Sequence, residues 1–158
     1  FVFGVPADQA MIRFALFDEF TDGDDDLDLY VYYCPPQLDC QFRANFSRIG
    51  QSGEATSREQ VDVILPAAGT YAVYVHAFET DNVPGGPGTV YSLFAWQFGL
   101  NDNVGNMTVT GPGTVSAGTT SDVTVNWSNL GPNNMYLGGI SHNSPDGLVG
   151  LTIISIRN

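Results

Sequence analysis

The chain contains no lysine. Its five cations are all arginine (Arg13, Arg43, Arg48, Arg58, Arg157) and face 17 acidic side chains, giving a net charge of −12 and a pI near 4.1. A surface of that sign repels phosphate backbones and anionic lipid headgroups, so no nucleic acid and no membrane partner is expected. The same self-repulsion favours a monomer. No apolar run reaches the about 18 residues of a membrane span, and no charged-then-apolar segment opens the chain. A secreted protein that begins in this way is expected to be a piece cut from a longer precursor.

Histidine and cysteine are also scarce, with two of each. Neither His76 nor His142 sits in a nucleophile or zinc-hydrolase motif, and no Gly-x-Ser-x-Gly elbow is present, so no catalytic role is expected of this chain. His76 lies mid-strand and is expected to bond a neighbouring loop, while His142, near Asn143 and Pro145, reads as a turn residue. Two thiols alone cannot complete a structural zinc site. Cys34 and Cys40 flank Pro35-Pro36-Gln37-Leu38-Asp39, and the spacing suits a local disulfide, the alternative being two unpaired thiols. A disulfide implies maturation outside the cytosol.

Helix signals are nearly absent and strand signals are dense. Alternation of apolar and polar residues predicts strands at 11–20, 27–33, 60–65 and 70–78, with a weaker one at 41–49. The run 90–98 is almost wholly apolar, as in a strand buried on both faces. Turn residues punctuate these segments at 21–24, 35–36, 51–53, 66–69 and 83–88. Short strands so separated predict an all-β antiparallel sandwich over 1–100. A second β-rich unit is expected over 101–158, immunoglobulin-like or dependent on the first, with strands at 107–110, 121–127, 135–141 and 148–156. Trp96 is expected in the core of the first unit and Trp127 in that of the second. Asn45, Asn106 and Asn126 open glycosylation sequons, which a bacterial source would make incidental.

The most distinctive stretch is acidic. Seven acidic residues fall between Asp18 and Asp28, and the last of them alternate with apolar residues. In a strand, Leu27, Leu29 and Val31 point to one face and Asp26, Asp28 and Tyr30 to the other. Two carboxylates then stand about 7 Å apart on an exposed face. Such crowding is unfavourable unless solvent, salt or a hard cation offsets it. Asp22, Asp24, Asp26 and Asp28 are therefore candidate calcium ligands, with Asp18 or Glu19 as possible additions; the alternative is a solvated acidic turn. Leu27 stands where an EF-hand requires glycine, so an EF-hand is excluded.

The order Val5-Pro6-Ala7, Arg13-Phe14-Ala15-Leu16, Asp26-Leu27-Asp28-Leu29-Tyr30-Val31, Pro66-Ala67-Ala68-Gly69-Thr70-Tyr71, Tyr74-Val75-His76 and Tyr91-Ser92-Leu93 resembles the bacterial pre-peptidase C-terminal domain. The tail through Leu137-Gly138-Gly139-Ile140-Ser141 resembles the C-terminal extension of secreted subtilisin-like serine proteases. These resemblances imply a jelly-roll fold and a non-catalytic accessory domain (pre-peptidase C-terminal domain, subtilase type) that partners the catalytic domain of its parent protease. They imply calcium near Asp26 and Asp28 in some members; Asp22 and Asp24 lie in a variable turn. Gly118-Thr119-Thr120-Ser121 lacks the Met-Ala that follows a subtilisin nucleophile. A different role is open to the outward tyrosines Tyr30, Tyr32 and Tyr74, joined by Phe78. They form a surface for insoluble, collagen-like protein or polysaccharide, or else a face covered by other parts of the protein.

Overall fold

In the computed structural model, which describes residues 1–81 and 88–158, the chain divides into two compact units, Phe1–Leu100 and Asn101–Asn158. The expected turn at 83–88 falls on residues that, Gly88 apart, lie outside those described. Among the described residues the regular structure is β-strand with two 3-10 turns, and no helix is long and apolar enough to cross a membrane.

Among its described residues the first unit has seven strands: β1 (Val2–Val5), β2 (Gln9–Ala15), β3 (Asp26–Cys34), β4 (Ser47–Ser52), β5 (Gln60–Ile64), β6 (Gly69–Glu79) and β7 (Phe94–Gly99). They form two antiparallel sheets, ordered β1-β6-β3-β4 and β5-β2-β7. Both sheets feed one core. Leu27, Leu29 and Val31 of β3 and Tyr71 and Val73 of β6 come from the first sheet. Ile12 and Phe14 of β2 and Val61 of β5 come from the second. The result is a sandwich-like pair of layers with the alternation of β3 as its inner surface.

Several strands depart from the sequence pattern for identifiable reasons. Segment 11–20 stops as a strand at Ala15 and becomes a 3-10 turn at Asp18–Phe20. Segment 41–49 is delayed because Asp39 takes the local backbone: its Oδ1 accepts from Gln41 N–H at 3.0 Å and its carbonyl from Asn45 Nδ2 at 2.8 Å. Such local bonds compete with a ladder, so a 3-10 turn forms at Arg43–Asn45 and β4 begins only at Ser47. The strand expected at 60–65, whose alternation puts Val61, Val63 and Leu65 on one face, loses its last member: Leu65 turns outward at φ +50° and is exposed, because the ladder ends before Pro66, which has no N–H to donate. The two-sided burial expected of 90–98 is not found. Val90 is exposed, and β7 is an edge strand of its sheet, so only part of the run is covered. Trp96 is half-buried outside the core cluster, stacked on Phe94 at 5.8 Å.

Cys34 and Cys40 form a disulfide, as an oxidising compartment permits. It closes the loop between β3 and β4. Gly69 lets the next strand start beside that loop: a Cβ there would lie 2.7 Å from both the Cys34 carbonyl and the Tyr33 ring. Tyr33 and Tyr71 donate to the carbonyls of Ala68 and Ala67, so the 66–69 turn is held by two phenols. Burial pushes the Tyr71 phenol up to about 12, with Tyr33 adding to it.

The second unit consists of β8 (Met107–Thr110) paired with β9 (Thr124–Trp127), and β10 (Met135–Ser144) paired with β11 (Gly147–Arg157). His142 lies within β10 rather than in a turn, with Nε2 2.8 Å from Thr152 Oγ1 on β11. No residue of this unit is fully buried, and Trp127 is 52% exposed instead of packing in a core. Two separate ribbons do not enclose an interior.

Replacing both cysteines with serine is expected to lower the unfolding free energy by about 2 kcal/mol, the low end for disulfides because the loop is short. Leu29→Ala should cost more, about 3 kcal/mol, through the cavity it leaves. Urea titrations monitored by tryptophan fluorescence read both.

Candidate functional site

The acidic turn is pinned before β3 begins. Thr21 donates its hydroxyl to the Asp18 carbonyl at 2.9 Å and forms an isolated bridge with Tyr91. Asp22 is engaged twice by Val90: its N–H donates to the Val90 carbonyl at 3.1 Å, and its Oδ1 accepts from Val90 N–H at 2.8 Å. The apolar segment around Val90 thus serves as a strap for the acidic turn.

The predicted aspartates are used in different ways. Asp22 is committed to Val90, and Asp24 is exposed to solvent. Asp26 and Asp28 are half-buried rather than standing on an open face, because the loop 51–55 and Phe78 wall them in. Asp28 Oδ2 accepts from the Tyr30 hydroxyl at 3.1 Å and faces His76 Nδ1 at 3.1 Å. His76 therefore bonds an adjacent strand rather than a loop. Donation to Asp28 raises the Tyr30 phenol above its ordinary range, with burial and the Asp28 charge adding to the effect. Among the described residues, no three His, Cys, Asp or Glu groups converge as a ready-made metal cage.

Two buried acids were not singled out from the sequence. Asp25 is 4% exposed: its Oδ1 accepts from Asp81 N–H at 3.2 Å, its carbonyl accepts from the Ser57 hydroxyl at 2.6 Å, and its Oδ2 has no donor. Glu59 is 1% exposed. Its backbone pairs with Leu16 in both directions, and its Oε1 accepts from Glu54 N–H at 2.7 Å, while Oε2 lacks a donor. Asp26 Oδ1 is likewise shielded and without a donor. Burial raises the Glu59 carboxyl above the usual range; bonds from Ser52 and from the Glu54 backbone oppose the shift, and the Asp28 charge adds to it. The signal that these acids are buried lies in contacts with Leu16, Ser57 and Asp81, distant in sequence, so strand periodicity carries none of it.

The outward face of β3 and β6 gathers the predicted tyrosines. Tyr30 lies opposite Tyr74 across the ladder, and Tyr32 meets Tyr74 edge-on at 5.5 Å. Tyr74 is 51% and Phe78 67% exposed, with His76 between them; Tyr30 and Tyr32 are half-buried. At the acidic end of this face an open groove of about 600 Å³ is lined by Asp26, Asp28, Tyr30, Glu54, Phe78 and the 51–53 backbone. Gly53 makes room there, since a Cβ would sit 2.8 Å from Asp28 Oδ1. Neighbouring aromatic rings and carboxylates give the groove both stacking surface and hydrogen-bond acceptors.

No family model matches the sequence, and no curated protein or solved structure matches it either.

Glu59 gives a signed test of the buried acids. A carboxyl raised by burial favours the folded state when protonated; that contribution is full below the ordinary carboxylate range and is lost as pH rises through the raised value. With EDTA present, Glu59→Gln should match the parent near about pH 4 and become progressively more stable than it toward neutrality. Urea midpoints of both proteins across that range measure the difference; a constant gap would mean that the charged carboxylate is compensated within the fold.

Proposed function

We propose that this chain is the non-catalytic C-terminal accessory region of a secreted subtilisin-like peptidase. In this proposal residues 1–100 form a jelly roll of the pre-peptidase C-terminal type that stabilises or positions the catalytic domain, with calcium at the acidic turn. The observation that carries it is the set of carboxylate oxygens on Asp25 and Asp26 that are shielded from water and have no donor. Leaving such oxygens charged and unpaired is costly, and a hard cation accepts them as ligands.

Of the predicted set, Asp22 and Asp28 already serve Val90, Tyr30 and His76, which leaves Asp24 and Asp26, with Asp25 beside them. These three do not converge as they stand, so the turn has to close around the ion to bring them together. Calcium takes 6–8 oxygens, so carbonyls and water complete the shell. When bound, the ion neutralises the turn and binds only the folded chain, which stabilises it by mass action. Excess calcium should raise the melting temperature and EDTA lower it, and Asp25→Asn should remove most of the difference. Identical melting curves in the two conditions would reject calcium.

A second role is favoured by the exposed rings of Tyr74 and Phe78. In it, the outward face of β3 and β6 anchors the parent protease to insoluble protein or polysaccharide. Passing the chain over insoluble collagen, elastin, chitin and cellulose should retain it on at least one, and Tyr74→Ala should release it. Uniform flow-through leaves the stabilising role alone.

A further inference from the structure

Resting on that second role, we infer that the groove and ring face of β3 and β6 hold an extended, lysine- or arginine-bearing segment of a partner protein. The groove is an acceptor site. Three carboxylates line it, Asp26, Asp28 and Glu54, and no cationic side chain does. Asp26 Oδ1 finds no donor within the fold. A cation supplies both the donor and the charge that this wall is missing.

The rings select the shape of the occupant. Phe78 lies against the carboxylates as part of the groove wall, and Tyr74 continues the surface beyond it, both largely open to solvent. A lysine or arginine stem packs along such rings while its charged end reaches the acids, and the ring faces attract the cation as well. The outward row Asp26, Asp28, Tyr30, Tyr32 steps about 7 Å per member, so it runs about 20 Å, the length of roughly six extended residues. That is a peptide-sized track rather than a pocket for one side chain.

The charge of the whole unit favours the same partner. All acids except Asp102, Asp122 and Asp146 belong to the first unit. Of its arginines, Arg13 is bound to Asp62 at 2.7 Å and Arg58 lies against Asp18 and Glu19 at 3.8 and 3.5 Å. Arg48 stands opposite Tyr32 beside the tyrosine end of the row, which leaves Asp26, Asp28 and Glu54 as the end that takes the basic side chain. The field around the groove therefore draws in basic segments and turns away acidic ones.

Fluorescence anisotropy of labelled octalysine, octaglutamate and a Gly-Pro-Pro repeat, titrated with the full chain in EDTA, tests this. Octalysine should bind and octaglutamate should not, and raising the salt from about 50 to 300 mM should weaken binding several-fold. The double variant Phe78→Ala/Glu54→Gln changes two exposed side chains and should weaken octalysine about fivefold or more. Asp102→Asn/Asp122→Asn removes more charge in the second unit and should change it less than about twofold. Equal losses in the two double variants would reduce the attraction to net charge and overturn the site. Tighter, salt-independent binding of the Gly-Pro-Pro repeat would overturn a basic partner and assign the face to collagen-like chains. Absent octalysine binding together with Tyr74-dependent retention on an insoluble matrix would sink the basic partner and leave the anchoring role standing. Absence of both would remove the two together.

Discussion

Strand β3 is paired along both edges, to β6 on one side and β4 on the other, and its inward side chains Leu27, Leu29 and Val31 are completely removed from water. Burying each such side chain is worth about 1.5–3 kcal/mol. A slip of one residue would turn that row outward and drive Asp26, Asp28 and Tyr30 into the core. The register of this strand is therefore held against a large penalty. With it are fixed the positions of the carboxylates, the tyrosine row and the groove.

How much of this was legible in the sequence depended on the range of the forces involved. The inner and outer rows of β3 follow from a period of two, and the turn at Pro66–Gly69 from the missing N–H of proline and the room that glycine leaves. Segment 90–98 was misjudged because an apolar run does not reveal whether its strand has a neighbour on each side; here β7 is an edge and Val90 serves the acidic turn instead. His142 was placed in a turn by Asn143 and Pro145, yet β10 runs on through it to Ser144 and turns back at Gly147. Asp25 and Glu59 were passed over because acids are usually exposed. Their burial is imposed by partners far along the chain.

These two acids tie distant parts of the first unit together. The loop from β4 to β5, residues 53–59, is closed on itself by the bond from Glu54 N–H to Glu59 and tied to the acidic turn by the bond from Ser57 to Asp25. The same loop supplies Gly53 and Glu54 to the groove. Protonation of Glu59 thus acts on the backbone that shapes one wall of the proposed binding face.

The second unit offers a contrast. Its ribbons bury no residue fully, and each strand of the β10–β11 pair is hydrogen-bonded along one side only. Strand β11 carries Arg157 as its single charged side chain. An apolar strand that its own unit pairs along one side is a template for copies of itself once exposed, and few charges are present locally to keep those copies apart. The dispersing charge is carried almost entirely by the neighbouring hundred residues. Cleavage between the units would consequently yield two fragments with opposite colloidal fates: an acidic one that stays in solution, and a nearly neutral ribbon prone to stack.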